Sequence, residues 1–164
     1  MAEIRRAVAA DAGAICDIYN HYIENTIATF EEQSIVASDL ATRMDNGHPW
    51  LVAVNDGNVV GYAYTGTWRS RCAFRHTLES SVYLSHDFQG RGVGKMLYQA
   101  LIQACSQTDC RVLVAAISLP NQASIALHQR LGFKEVGVFR EVGFKFDQWI
   151  DVAFWEYLFT DQPG

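Results

Sequence analysis

The sequence predicts a single α+β domain over residues 1–164, with a mixed, mostly antiparallel sheet of about seven strands flanked by helices. Three observations predict it. Apolar residues alternate with period two in one stretch, 77–84, and recur with helical spacing in the next, 93–104. Residues 111–117 (RVLVAAI) are apolar almost without a break, as in a strand covered on both faces. The chain closes with two aromatic-rich runs, 133–145 and 148–159, that read as strands.

In order, residues 2–8 (AEIRRAV) give a first strand. Asp11 then caps a helix in which Ile15, Ile18, Tyr19 and Tyr22 keep helical spacing. A polar stretch, 24–34, separates it from a short helix at about 36–44, with Ser38 and Asp39 near its start. Trp50 to Val54 and Val59 to Tyr64 flank Asn-Asp-Gly-Asn and form a hairpin, the second run continuing to Trp68. Residues 69–76 (RSRCAFRH) form a loop. In the strand 77–84, Leu78, Ser80, Val82 and Leu84 face one way, and Thr77, Glu79, Ser81 and Tyr83 the other. The loop 85–92 leads into a helix with Val93, Met96, Leu97, Ala100, Leu101 and Ala104 on one face. After the apolar strand, Pro120 and Asn121 open a helix carrying Ile125, Leu127 and Leu131, with Gly132 at its stop. The order is β-α-α-β-β-β-α-β-α-β-β.

Hydrophobic residues make up 49% of the chain and charged residues 19%, which suits a packed core and not a disordered chain. A net charge of −5 with no basic run offers nothing to a nucleic-acid backbone or an anionic membrane. Cys16, Cys72, Cys105 and Cys110 are scattered, without CxxC or zinc-ligand spacing, so no metal is expected. No leader-like apolar segment opens the chain, and no window is apolar for long enough to span a membrane. A reduced, cytoplasmic protein with its cysteines as small buried fillers is the expectation.

Between a strand and a helix lies Gln89-Gly90-Arg91-Gly92-Val93-Gly94. Small residues there let successive N–H groups converge, and the positive end of the helix adds to an anion site. A pyrophosphate suits it, with Arg91 and Lys95 at the rim; a plain strand–helix turn is the alternative. The Walker pattern fails because Met96 follows Lys95, and GxGxxG is met only in part.

A second segment, 121–133 (NQASIALHQRLGF), follows the apolar strand. Loop and helix together resemble the two signature motifs of the GNAT superfamily of N-acetyltransferases. The loop Q/R-x-x-G-x-G/A is matched at Gln89, Gly92 and Gly94. The helix N-x-x-A-x-x-L-Y-x-x-x-G-F is matched at Asn121, Leu127, Gly132 and Phe133, with Ser124 for Ala and His128 for Tyr. The chain further resembles the branch that acetylates phosphinothricin, methionine sulfoximine and methionine sulfone. It shares F-R-x-T-x-E-x-S-V-Y at 74–83, A-S-I-x-L-H-x-x-L-G-F at 123–133 and V-G-x-K-F-x-x-W-x-D at 142–151. Ile18-Tyr19-Asn20 and Gly66-Thr67-Trp68-Arg69 also match, while 24–48 corresponds only loosely.

The resemblance implies a V-shaped opening for acetyl-CoA between parallel strands 77–84 and 111–117. The backbone of Val82, Tyr83 and Leu84 would pair with the pantetheine arm like an added strand and supply an oxyanion donor. The N–H groups of Gly90, Arg91, Gly92, Val93, Gly94 and Lys95 would hold the pyrophosphate, with Gln89 at the loop's start. Asn121 would bond the arm or the product, or serve only as a helix cap, and Ser124 would line the arm. Glu79 is the candidate base for an ammonium group, its alternative being an exposed strand carboxylate. His128 occupies the slot of an acid for the departing thiolate, or only packs there. Arg75 is the first choice for a substrate carboxylate, with Arg69 and Arg71 behind it; solvated loop arginines are the alternative. His76 and Thr77 would contact the substrate's polar end. Phe30, Phe144 and Trp149 read as core or interface aromatics. The implied activity is direct acetyl transfer to a small amino acid or analogue, by a homodimer. Its rivals are transfer to a protein N-terminus or polyamine, and a non-catalytic acyl-CoA-binding module.

Overall fold

Asp56 and Gly57 sit at φ 50° and 78°, the left-handed pair that a two-residue hairpin turn requires. They join β2 (Trp50–Asn55) to β3 (Asn58–Thr67), as the Asn-Asp-Gly-Asn signal predicts. The second strand ends one residue short of Trp68. β1 (Glu3–Arg6) pairs with β2, and β4 (Thr77–Leu84) with β3, all antiparallel. β5 (Val112–Ser118) runs parallel to β4. β6 (Lys134–Lys145) and β7 (Gln148–Leu158) complete a seven-stranded sheet in the order β1-β2-β3-β4-β5-β7-β6. This computed structural model describes residues 1–161. The fold class and element order read from the sequence hold; Gln162, Pro163 and Gly164, included in the expected domain, lie outside the described residues.

Helices cover the sheet from both sides. α1 (Ala12–Asn25) and α2 (Ala37–Met44) bury Ile15, Ile18, Tyr19, Ile23 and Leu40 against Trp50, Val52 and Tyr62. α3 (Val93–Ser106) and α4 (Gln122–Leu131) lie on the opposite face, where Leu97 and Leu101 meet Leu113, Ile117, Phe133 and Trp155. The alternation predicted for β4 follows this division: Leu78, Val82 and Leu84 join the α3 side, and Tyr83 the α1 side.

Several expectations are corrected. The Asp11 side chain does not cap α1; its carboxylate accepts two bonds from the Arg5 guanidinium at 2.8 and 2.9 Å and one from the Val8 N–H. On α3 the buried face includes Tyr98 and Cys105, while Met96, Ala100 and Ala104 lie at its margins. On α4 the buried residue is His128, and Ile125, Leu127 and Leu131 are only half-buried. Cys72 is exposed, unlike the other three cysteines. β5 is not covered on both faces along its length, because Ala116 is exposed. The reason is that α1 and α2 pack over β2–β4 and leave the β5–β7–β6 half of their face open.

That open half is framed by a clamp. Lys145, 2% exposed, donates from Nζ to the carbonyls of Thr26 and Thr29 at 2.8 Å each, so the β6–β7 hairpin holds the segment after α1. Burial lowers the Lys145 pKa. Beside it the Phe30 ring lies over Gly143, in space that a Cβ there would fill.

Candidate active site

β4 and β5 pair only from Thr77–Val112 to Glu79–Val114; beyond that register the strands part. The backbone of β4 past Glu79 therefore faces an opening instead of a neighbouring strand. Antiparallel pairing alternates the direction of backbone groups, and Ser85 N–H donates to Val60 on β3 at 2.8 Å. Tyr83 by the same alternation faces β3, while Ser80, Val82 and Leu84 turn their N–H and C=O groups to the opening. The V expected from the sequence is present, with its vertex at Glu79.

At the far end of β4 the glycine-rich turn closes the opening. Gly90 and Gly92 adopt φ 74° and 81°, a conformation costly for residues with a Cβ. Gly92 is the N-cap of α3, and the first helical bond runs from Met96 N–H to its carbonyl. The N–H groups of Val93, Gly94 and Lys95 thus have no acceptor within the helix. They converge at the positive helix end, an arrangement that suits an anion. Arg91 stands 4.9 Å above the Phe88 ring, and it and Lys95 are exposed at the rim.

One residue unites these parts that sequence reasoning placed only on a helix face. The Tyr22 hydroxyl donates to the Leu84 carbonyl (2.6 Å) and accepts from the Leu84 N–H (3.3 Å) and Gln89 Nε2 (3.0 Å). One donor and two acceptor sites are all a phenol has, so the hydroxyl is saturated. Leu84's backbone, expected to face the pantetheine arm, is engaged by Tyr22, and Val82 carries the free gap-facing pair. Nothing local in 18–25 distinguishes Tyr22 from any half-buried tyrosine.

The other arm of the V is anchored through α4. Asn121 Oδ1 accepts the Ser124 N–H at 3.1 Å, a helix cap that leaves the Nδ2 amide outward. His128, 6% exposed, holds Nδ1 2.7 Å from the Ser124 carbonyl and Nε2 3.0 Å from the Tyr98 hydroxyl. A carbonyl only accepts, so Nδ1 carries the proton. Burial lowers the His128 pKa, which keeps the ring neutral, so Nε2 accepts from Tyr98. Tyr98 in turn accepts from Ser80 Oγ at 2.7 Å. A buried chain Ser80–Tyr98–His128–Ser124 thereby ties β4, just past the vertex, through α3 to α4. Sequence reasoning missed Tyr98 and Ser80; period alone does not reveal that a buried helical residue needs a polar partner.

Glu79 sits on the opposite, partly open face. Its carboxyl is half-buried, and burial raises its pKa with no cation or donor to offset it. Arg75 folds back to donate to the Cys72 carbonyl at 3.2 Å in an exposed turn, and Arg69 lies 4.8 Å over the Trp68 ring. Thr77 is on β4, two residues from Glu79 on the same face. His76 turns away: Nδ1 lies 3.0 Å from the Asp109 carbonyl and 3.3 Å from its carboxylate, at the α3–β5 connection. Arg71 is exposed in the same turn as Arg75. Phe144 and Trp149 are 50% and 68% exposed, surface and not core. Among the described residues no group of three or more His, Cys, Asp or Glu is arranged to hold a metal ion, and no helix is long and apolar enough to cross a membrane.

Known proteins resemble this chain in sequence and fold. The model of the acetyltransferase (GNAT) family matches residues 15–133. Phosphinothricin N-acetyltransferase of Streptomyces viridochromogenes is 42% identical over 157 residues, covering 94% of this chain and 86% of the relative. The L-methionine sulfoximine/L-methionine sulfone acetyltransferase of Pseudomonas aeruginosa is 44% identical over 161 residues, with 93% and 92% covered. A crystal structure of a phosphinothricin acetyltransferase from Sinorhizobium meliloti in complex with acetyl-CoA superposes with a TM-score of 0.93 at 37% identity, covering 99% of this chain and 93% of that one. With the split β4–β5 pair, the glycine-rich turn and both signature motifs in place, the chain belongs to the acetyltransferase (GNAT) family and is an N-acetyltransferase.

Proposed function

We propose that this enzyme transfers the acetyl group of acetyl-CoA to the α-amino group of a small amino acid or an analogue such as methionine sulfoximine, methionine sulfone or phosphinothricin. The observation that carries the reading is the unpaired, half-buried Glu79 carboxyl at the vertex of the opening. Acetyl-CoA supplies the acetyl group as an activated thioester in a ternary complex. The free N–H and C=O of Val82 suit its pantetheine amides, and the N–H groups of Gly90 to Lys95 suit its pyrophosphate. Asn121 Nδ2 and Ser124 line the arm from α4.

Amines attack only when neutral, and α-amino groups titrate near about 8, so a base helps at neutral pH. Glu79 takes that proton, directly or through water; its raised pKa makes it a better acceptor than a solvated carboxylate. Arg75, released from the Cys72 carbonyl, reaches a substrate carboxylate, with Arg69 and Thr77 beside it. Both His128 nitrogens are engaged, so His128 holds the arms of the V and leaves the thiolate to solvent protons. A second copy of the chain covers the exposed edge of β6, where Val138, Phe139 and Val142 are 44–60% exposed. Four free thiols suit a cytoplasmic setting.

The test is thiol release from acetyl-CoA with an amine panel. Turnover is expected with methionine sulfone, methionine sulfoximine or phosphinothricin; none with all three removes this substrate class, and turnover with polyamines or peptides alone replaces it. Binding of CoA in calorimetry without any turnover would leave a binding module. Tyr22→Phe is expected to raise the KM for acetyl-CoA about fivefold with kcat little changed, since it orphans Leu84 and Gln89 near the cosubstrate at a cost of about 1 kcal/mol. Sedimentation checks the dimer.

A further inference from the structure

A cavity of about 350 Å³ lies where α3 connects to β5, at the paired end of β4 and β5 and away from the end where they part. Cys110 lines it, together with His76, Thr108, Asp109 and Arg111. Thr108, Asp109 and Arg111 are exposed, so the cavity meets solvent, and Cys110 itself is 8% exposed. The chain folds back on itself here. Thr108 donates to the Cys105 carbonyl from both its N–H (3.0 Å) and its Oγ1 (2.6 Å), and the Cys110 N–H donates to Thr108 Oγ1 at 3.1 Å. This turn returns Cys110 to the end of α3, where its sulfur accepts from the Cys105 thiol. Cys105 is wholly buried and does not line the cavity.

The two thiols are therefore not equivalent. The bond from Cys105 lowers the Cys110 pKa in spite of burial, and the same bond, with burial, raises that of Cys105. As a thiol Cys110 has only a weak bond to give, to the Val112 carbonyl at 3.5 Å. Arg111 places a positive charge at the cavity, and the opposing Asp109 carboxylate is tied to His76 Nδ1 at 3.3 Å. Cys16 is the contrast: burial raises its pKa, and its S–H donates to the Ile35 carbonyl at 3.2 Å. Cysteines that oxidants reach selectively combine thiolate character, access and a neighbouring thiol, and Cys110 has all three.

We propose that Cys110 is a site of oxidation by small hydroperoxides that enter this cavity, and that Cys105 is the thiol that resolves it. The Cys110 thiolate attacks one peroxide oxygen; the O–O bond breaks, Cys110 becomes a sulfenic acid, and the released hydroxide takes a proton to leave as water. The Cys105 sulfur then attacks the sulfenic sulfur and gives up its proton. The S–S bond forms, the S–O bond breaks, and the hydroxyl leaves as a second water. Two electrons pass from the two thiols to one peroxide. The product is a disulfide joining the last turn of α3 to the residues before β5, and an added thiol reverses it. The site shares no residue with the acetyl-transfer reading, so neither depends on the other.

The experiment treats the folded Cys72→Ser protein, which lacks the exposed thiol as a competitor, with one equivalent of hydrogen peroxide. Remaining thiols are then blocked, and the protein is denatured and digested with trypsin. Cys105 and Cys110 share the peptide 96–111, between cleavage after Lys95 and after Arg111. That peptide is expected to lose the mass of two hydrogen atoms, and dithiothreitol to restore it, while Cys16 stays reduced. In Cys105→Ala the intermediate has no partner, so dimedone should label Cys110; in Cys110→Ala, Cys105 should stay reduced. A peptide 96–111 that stays reduced in the folded protein under excess peroxide, or Cys16 reacting first, overturns the site. Sulfinic acid at Cys110 with Cys105 still free overturns the resolving role. Dimedone on Cys105 in Cys110→Ala overturns the order of attack. The peptide measurement needs neither core variant, so it decides the matter even where one of them fails to fold.

Discussion

Replacing Glu79 with Gln is expected to lower kcat/KM for the amine by about 10²- to 10³-fold, the usual worth of a positioned general base. Gln keeps the size of the side chain, so the KM for acetyl-CoA should stay within about twofold; a change there would point to a disturbed site and not a lost base. The pH profile is more telling. In the wild type, kcat/KM rises with pH as the Glu79 carboxyl ionises, and burial moves that limb above the ordinary carboxylate range. In Glu79→Gln the limb vanishes, leaving only the rise from the amine's own ionisation. Stability should move the opposite way from activity. A carboxyl whose folded pKa is raised binds its proton more tightly in the native state, so its stabilising contribution is present at low pH and lost as pH rises through the folded value. Once ionised, the native carboxylate is a half-buried charge with no partner, and Gln removes it, so Tm above that ionisation should hold or rise. Full kcat/KM at every pH in Glu79→Gln would end the assignment of Glu79 as the base.

How far the sequence reaches is clear from neighbouring residues. The limits of β4 at Thr77 and Leu84 and its two faces are written in local alternation, which a strand obeys wherever it sits. Gly90 and Gly92 were legible for a similar reason: positive φ is a demand of the chain itself. What escaped depends on partners distant in sequence. Asp11 has the composition of a cap, but Arg5 and the Val8 N–H compete for its oxygens and win, which lowers its pKa. Tyr98 on α3 is buried because Ser80 and His128, 18 and 30 residues away, satisfy its hydroxyl. Tyr22 reaches Leu84 across 62 residues. Ala116 is apolar yet exposed, since burial of β5 depends on where α1 and α2 end. The family's signature motifs were thus readable, because they are local in sequence, while the packing that braces them was not.

The buried chain through His128 leads to the second large effect. His128→Ala is expected to destabilise the enzyme by about 2–4 kcal/mol, from the cavity left among Tyr98, Phe133 and Ser124 and the acceptor lost to the Tyr98 hydroxyl, which keeps only Ser80. For a chain of this size that is a fall in Tm of about 5–12 °C. The effect has a pH signature. His128 is neutral in the folded state because burial lowers its pKa, whereas the unfolded imidazole takes a proton below about 6.5. The unfolded state therefore binds more protons as pH falls, and the wild type loses stability through that range. His128→Ala lacks the group, so the gap in Tm between the two proteins should narrow from pH 8 to pH 5. Tyr98→Phe cuts the same chain at Nε2 and should cost about 1 kcal/mol while leaving the ring in place. In activity, both variants loosen the brace between β4 and α4, so the KM for acetyl-CoA should rise more than kcat falls. An acid acting on the thiolate would give the reverse: kcat lost in His128→Ala, KM unchanged, and Tyr98→Phe close to wild type. A widening Tm gap at low pH, or that kinetic reversal, would remove His128 from the role of brace.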